Sequence, residues 1–308
     1  MERRLAIRNI VMTAAACLLP DLSAQDQDFV IHSDVRLVLL DVSVKDPDGS
    51  FVEGLSQSNF EVYENNVRQT ISTFSNNDLP FTVGLLVDAS RSMAPKRNDV
   101  LAAAGLFIAE SNPRDELFVL NFNDTVKRGL PDGVLFSDDM AQLRAALSRA
   151  RPQGMTALND AVVEGLKQLE LGRREKKGLI VVSDGGDNAS HCTRQQMLDM
   201  VEGSIATIYT IGLFETGDPD RDPGILKRLA KVSGGVASFP ADAGQMREVC
   251  RAIAKDMRTR YTIGYVPAAR GGSLRRIRVH VSAPGHSKLQ TLSRTTYRYV
   301  DTQNQAHQ

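Results

Sequence analysis

Apolar and polar positions change rhythm twice along this chain. Over residues 29–75 they alternate with a period of two: VRLVLLDVSV predicts a strand, KDPDGS a turn, and NFEVYENNVRQTISTF two short strands around ENN. Successive side chains of a strand face opposite sides of a sheet, so this alternation marks strands with one buried face. From 79 to 258 apolar runs take turns with stretches of helical period. The runs 82–88, 116–122, 178–184, 206–213 and 235–239 predict strands, and 97–111, 138–149, 157–170, 194–202, 223–233 and 243–259 predict helices. Strands alternating with amphipathic helices predict an α/β fold, a doubly wound and mostly parallel sheet covered on both faces. The period of two then returns, with RYTIGYV, LRRIRVHVSA and KLQTLSRTTYRY as strands and ARGGS and APGHS as turns.

Neither flank has enough strands to hide an apolar face by itself, so the two are expected to meet in one small β-sandwich. The predicted organisation is a leader over 1–24, an N-terminal β segment over 25–78, the α/β domain over 79–258, a C-terminal β segment over 259–300, and a polar, disordered tail over 301–308. The leader has Arg3, Arg4 and Arg8, an apolar stretch over 10–19, and the small residues Ser23 and Ala24 before Gln25. That is the layout of a secretory signal peptide cut after Ala24. Lipid attachment at Cys17 ranks second, because Leu18 and Leu19 continue the apolar stretch past it. No other stretch is apolar over the ~20 residues a membrane helix needs. The mature chain is therefore expected to be exported, to the periplasm or beyond the cell, without a transmembrane segment.

Charge changes the picture only by exclusion. Lysine plus arginine and aspartate plus glutamate stand at 37 each, so no overall field favours nucleic acid or an anionic membrane as partner. After cleavage of the leader Cys192 and Cys250 remain; they either pair in an oxidising compartment or sit unpaired as small hydrophobes. No CxxC and no His/Cys cluster supports a zinc site.

Candidate chemistry gathers at two strand ends. The run 83–87 is apolar on both faces, so its strand is central, and Asp88 emerges at its carboxyl edge, where open α/β sheets bind ligands. Ser90 and Ser92 follow at a spacing of two, which in an extended loop puts both hydroxyls on one side. GLIVVSDGGDN repeats the arrangement, with Asp184 followed by two glycines that allow a tight turn. If the two strands are neighbours, the carboxylates approach within about 4.8 Å plus side-chain reach, and a divalent cation relieves their repulsion. In PQGMTALNDAVVEGL, Gly154 breaks the chain and Thr156 stands at the head of a helix, either as a plain N-cap or as a further oxygen ligand.

Asp88, Ser90 and Ser92 match the DxSxS motif of von Willebrand factor type A domains, Thr156 in GMTALNDAV matches that family's separate threonine, and Asp184 in VVSDGGDN its later aspartate. Over nearly its whole mature length the chain resembles the secreted bacterial VWFA-related group, with LVLLDVSVKDPDGSFVEGLSQSNFEVYENN before the A domain and RYTIGYVPA after it. The resemblance implies a metal-ion-dependent adhesion site built from Asp88, Ser90, Ser92, Thr156 and Asp184, with one coordination position left for a Glu or Asp carboxylate of a protein partner. Oxygen ligands with few carboxylates suit Mg²⁺, with Mn²⁺ or Ca²⁺ also compatible. It also implies a last helix, 243–259, able to couple the metal to affinity.

Other readings are weaker on chemical grounds. A haloacid-dehalogenase-like phosphatase needs a second aspartate two residues after its nucleophile, and Ser90 stands there, a hydroxyl that cannot serve as acid or base near neutrality. VDASRSM lacks the GxGxxG of a dinucleotide site. A structural envelope protein with a vestigial metal site remains an alternative, and a partner of an intracellular motor ATPase conflicts with the leader. His191 reads as an exposed loop residue, Asp187 as a loop or cap residue and Asp160 as a first-turn acid. TGDPDRDPG, 216–224, lacks calcium-loop spacing and reads as a surface loop at the rim of the strand ends.

Overall fold

The computed structural model describes residues 37–214, 220–267 and 274–299. The predicted leader, the predicted tail and the ARGGS turn lie outside those residues. The first alternating zone forms β1 (Val38–Lys45), β2 (Phe60–Glu64), β3 (Val67–Gln69) and β4 (Ile71–Ser75). Asn65 and Asn66 both take positive φ between β2 and β3, at 48° and 67°, the backbone of a tight hairpin that asparagine tolerates better than most residues. ENN is thus the expected turn, but the strand after it is broken: β3 stays beside β2, while β4 joins the other sheet.

The middle zone runs β5 (Phe81–Asp88), α1 (Arg97–Glu110), β6 (Glu116–Phe122), β7 (Val126–Arg128), α2 (Met140–Ser148), α3 (Leu158–Glu170), β8 (Lys176–Ser183), α4 (Arg194–Gly203), β9 (Thr207–Gly212), α5 (Pro223–Ser233), β10 (Ala237–Ser238) and α6 (Ala243–Arg258). These strands form one six-stranded sheet in the order β10-β9-β8-β5-β6-β7. All its pairings are parallel except β6 with the short edge strand β7. Every residue of β5 and β6 is buried, as a strand covered on both faces requires. The chain leaves β5 to β6 on one side and later returns to β8 on the other. Strand order therefore reverses at β5, where such sheets open a crevice at their carboxyl ends.

The last zone supplies β11 (Tyr261–Tyr265), β12 (Leu274–Val281), β13 (Gln290–Leu292) and β14 (Thr296–Arg298). Two four-stranded sheets result, β13-β1-β11-β4 and β14-β12-β2-β3, each drawing strands from both ends of the chain. Between them Leu40, Val42, Phe60, Val62, Ile263, Ile277 and Val279 form a second apolar core. Buried and exposed residues alternate without a fault along β12. Its one inward charge, Arg275, meets Glu64 at 2.6 Å, and the Tyr265 and Tyr297 hydroxyls donate to the same carboxylate at 2.8 and 2.6 Å. A buried ion pair is tolerable only when so satisfied.

KLQTLSRTTYRY, expected as one strand, divides into β13 and β14 in different sheets. The segment between them presses on the end of α5: Gly234 has φ +84°, and a Cβ there would meet the backbone of Ser293 and Arg294 within 2.5 Å. The buried Arg294 side chain donates to Ser204 O. A second buried cluster fastens α6 to the sandwich. Arg260 bonds Asp256 Oδ2 at 2.5 Å, Gly234 O at 2.8 Å and Asp41 O at 3.2 Å, and the Tyr209 hydroxyl donates to Asp256 at 2.6 Å. Cys192 and Cys250 are both free, Cys250 being buried with its thiol directed at Ala103 O.

Candidate functional site

β5 and β8 are parallel neighbours in a register that sets Val87 opposite Val182. Asp88 therefore ends β5 beside Ser183, and Asp184 leaves the sheet one residue later. Asp88 is buried, its Oδ1 accepting from Ser90 N at 2.8 Å and its Oδ2 from the Ser183 hydroxyl at 2.7 Å. Ser92 Oγ donates to Asp184 Oδ2 at 2.5 Å and lies 3.1 Å from Ser90 Oγ. Burial pushes the Asp88 carboxyl up to about 7; Asp184 adds to that, while the bonds from Ser90 and Ser183 oppose it.

The two glycines after Asp184 have separate reasons. Gly185 has φ +85°, and a Cβ there would stand 2.3 Å from Asp222 O. Gly186 N donates to Asp184 Oδ1 at 2.9 Å, fixing the carboxylate. Asp222 N donates to Asp184 O at 3.1 Å. The described end of TGDPDRDPG thus packs directly behind Asp184, and Asp222 caps α5 through Ile225 N; residues 216–219 of that loop lie outside the described residues.

Thr156 is buried and reaches the group through its backbone. Its N–H donates to Asn188 Oδ1 at 2.8 Å, and its carbonyl accepts from Asn188 N and Ala189 N at 2.9 and 3.0 Å. On the other side Gln153 N donates to Ala89 O and Arg91 N to Gly154 O. The loops bearing Asp88, Thr156 and Asp184 are therefore laced together. Thr156 is not the cap of α3: that position is Ala157, which gives no side-chain bond. Asp187 Oδ1 and Ser190 Oγ accept from the N–H groups of Asn159 and Asp160 instead. The threonine hydroxyl is thereby left free of the capping task.

Asp187 is indeed a cap, though of a helix from a distant part of the chain, and Asp160 lies in the first turn of α3 as expected. Backbone N–H groups of His191 and Cys192, both at 2.9 Å, hold the Asp160 carboxyl well below the usual range against the opposing effect of burial. His191 is an exposed loop side chain paired with Asp160 at 3.0 Å. Ser183, Asn188 and Ser190 position the site without having been singled out from the sequence. A hydroxyl beside the strand-end acid in VVSD and an asparagine in GGDN were the available signals.

A cation fits these residues. Asp88, Ser90, Ser92 and Asp184 present carboxylate and hydroxyl oxygens in one hydrogen-bonded group, a hard set, and burial of the Asp88 charge is a cost that a cation would offset. No group of three or more His, Cys, Asp and Glu side chains able to hold a metal occurs among the described residues, so any such site here depends on hydroxyl donors.

Residues 83–186 match the model of the von Willebrand factor type A domain. No curated protein matches the chain. Among solved structures, a von Willebrand factor type A protein from Catenulispora acidiphila superposes with a TM-score of 0.52 at 15% identity, over 88% of this chain and 76% of that one. The vWF domain of the type V pili tip protein Mfa5 from Porphyromonas gingivalis gives 0.45 at 14% identity over 63% and 98%. Proximal thread matrix protein 1 from the mussel byssus, with a zinc-occupied MIDAS motif, gives 0.49 at 16% identity over 68% and 50%. Likeness at this identity speaks to fold alone. The match over 83–186 spans β5 through β8, the centre of the parallel sheet, and the fold around it is that of a von Willebrand factor type A domain.

Proposed function

We propose that Asp88, Ser90, Ser92, Thr156 and Asp184 hold one divalent cation, Mg²⁺ by preference, and that the protein is a non-enzymatic adhesion or interaction protein. Bound there, the ion supplies a Lewis-acidic position for a Glu or Asp carboxylate of a protein partner. The observation that carries this reading is the run of oxygens from Ser90 through Ser92 to Asp184, at 3.1 and 2.5 Å. Asp88 and Asp184 would supply the negative charge, Ser183 and Gly186 donate to those carboxylates, and backbone bonds tie the loop that carries Thr156 to the loops of the two aspartates. The zinc-occupied motif of the mussel protein is consistent with a cation site in this family. The phosphatase alternative gains nothing: Ser90 spends its N–H on Asp88 and offers only a hydroxyl.

The leader over 1–24 supports export to the periplasm or the cell exterior, with the A domain over 79–258 borne on a sandwich from 25–78 and 259–300. Among the described residues no helix is long and apolar enough to cross a membrane. Capture of cell-envelope proteins in Mg²⁺ and in chelator tests the reading: a partner released by chelator and ignored by Asp88→Ala supports it, and capture indifferent to both contradicts it.

A further inference from the structure

The outer face of the sheet β14-β12-β2-β3 carries charge that the metal site does not use. Side chains alternate along β12, so Arg276, Arg278 and His280 share the exposed side, opposite the buried Ile277, Val279 and Val281. Cross-strand partners share a face, and the register sets Arg278 opposite Tyr63 on β2 and Tyr63 opposite Arg68 on β3. The Arg278 guanidinium lies over the Tyr63 ring, 5.2 Å from its centroid. The carboxylate that β2 adds to this face is Glu61, and it is held by Arg68 and by the Tyr63 hydroxyl, each at 3.0 Å. Glu64 turns inward to Arg275, and at the β14 margin Arg298 takes Asp199 and Glu202 of α4. Arg276 and Arg278 enter no ion pair among the described residues. Three guanidinium groups, of Arg68, Arg276 and Arg278, thus stand against one carboxylate on a flat surface.

We propose that this face binds a linear acidic polysaccharide, its carboxylates pairing with Arg276 and Arg278. Guanidinium forks take carboxylates pairwise, and the Tyr63 ring beneath Arg278 keeps that fork laid across the face. Two residues along β12 span about 7 Å and two strand spacings about 10 Å, so the charges repeat in two directions, as suits a polymer that repeats its anions. Other polyanions fit less well. A single-stranded nucleic acid needs open aromatic platforms, and the ring offered here is covered by Arg278. The one large apolar side chain exposed on this face among the described residues is Leu274, too little to anchor a bilayer. An acidic peptide gains most by pairing with a sheet edge, whereas these arginines stand on a face. The site shares no residue with the metal site and stands or falls without it.

Binding of the intact protein to immobilised polygalacturonate, in chelator so that no cation contributes, tests the proposal, with polyglutamate, oligodeoxythymidine and phosphatidylglycerol vesicles as competitors. Polygalacturonate is expected to bind most tightly, and less so as salt rises. Arg276→Glu with Arg278→Glu is expected to weaken it about tenfold or more. Arg114→Glu with Arg149→Glu makes the same charge change on exposed arginines elsewhere and is expected to leave binding within about twofold of wild type. Urea midpoints show whether each variant is folded; should the reversed pair lose stability, Arg276→Gln with Arg278→Gln decides by the same comparison. Absence of binding in chelator, equal loss in the two pairs, or tighter binding of any competitor overturns the proposal, and none of these outcomes bears on the Mg²⁺ site.

Discussion

Ser92 and Asp184 stand 92 positions apart, yet the serine hydroxyl donates to Asp184 Oδ2 across 2.5 Å. One residue follows β5 and the other follows β8, so the bond exists only because those strands are neighbours in the observed register. Ser92→Ala takes one oxygen from the donor set without disturbing the sheet. Mg²⁺ affinity is expected to fall at least roughly tenfold to a hundredfold, read by competition with Mn²⁺ in electron paramagnetic resonance. An unchanged affinity would remove Ser92 from the site.

Gly185→Ala is expected to damage stability and metal affinity together. The added Cβ would enter a left-handed backbone and stand 2.3 Å from Asp222 O, and Asp222 is bonded to Asp184 O. Backbone cannot yield as a flexible side chain does, so a loss of about 1–3 kcal/mol is expected. Urea unfolding measures it, and an unperturbed midpoint with full Mg²⁺ binding would contradict the packing described.

Asp256→Asn leaves the Arg260 guanidinium buried without its counter-charge, a change that costs about 3–5 kcal/mol. Burial alone would raise the Asp256 carboxyl, but the Arg260 charge, with hydrogen bonds from Tyr209 and Arg260, holds it below its ordinary value. A depressed carboxylate contributes stability above its unfolded pKa of about 3.9 and loses that contribution as pH falls through the folded value. The gap between wild type and variant is therefore expected to be constant from neutrality down to about pH 4 and to narrow below it. Denaturant midpoints across that range provide the check; a gap that widens in acid would refute the pairing.

Burial, with Asp160 assisting at Cys192, pushes the thiol of Cys192 up to about 12, and burial pushes that of Cys250 up to about 11. The thiolate is the reactive form, so both should resist iodoacetamide at neutral pH in the native protein and react after unfolding. Intact-mass measurement without reductant is expected to show both as free thiols; the mass of an intramolecular disulfide would overturn this.

Much of the fold was legible because burial on both faces writes a plain signal. VGLLVD and LIVVSD mark β5 and β8 to within two residues, and the six helices fall close to their expected spans. β7 was missed because its three residues at a sheet edge are too few to show a period. β13 and β14 read as one strand because their division is imposed by docking on Gly234, a contact from far along the chain. The same distinction runs through the site. Asp88, Ser90, Ser92 and Asp184 were visible at strand ends, where local pattern fixes position. Ser183 and Asn188 act across 95 and 32 positions, and no local rhythm records such bonds. Thr156 was legible as the head of a helix, but only the structure shows that Asp187 and Ser190 relieve it of capping.

The central claim is that five oxygen-bearing side chains from three crossed loops bind one cation, and titration calorimetry with Mg²⁺ tests it most directly. Wild-type protein is expected to take up one ion per chain, and Asp88→Ala, with the circular dichroism of the folded protein retained, to give no binding heat. Equal heats from the two proteins would contradict the account.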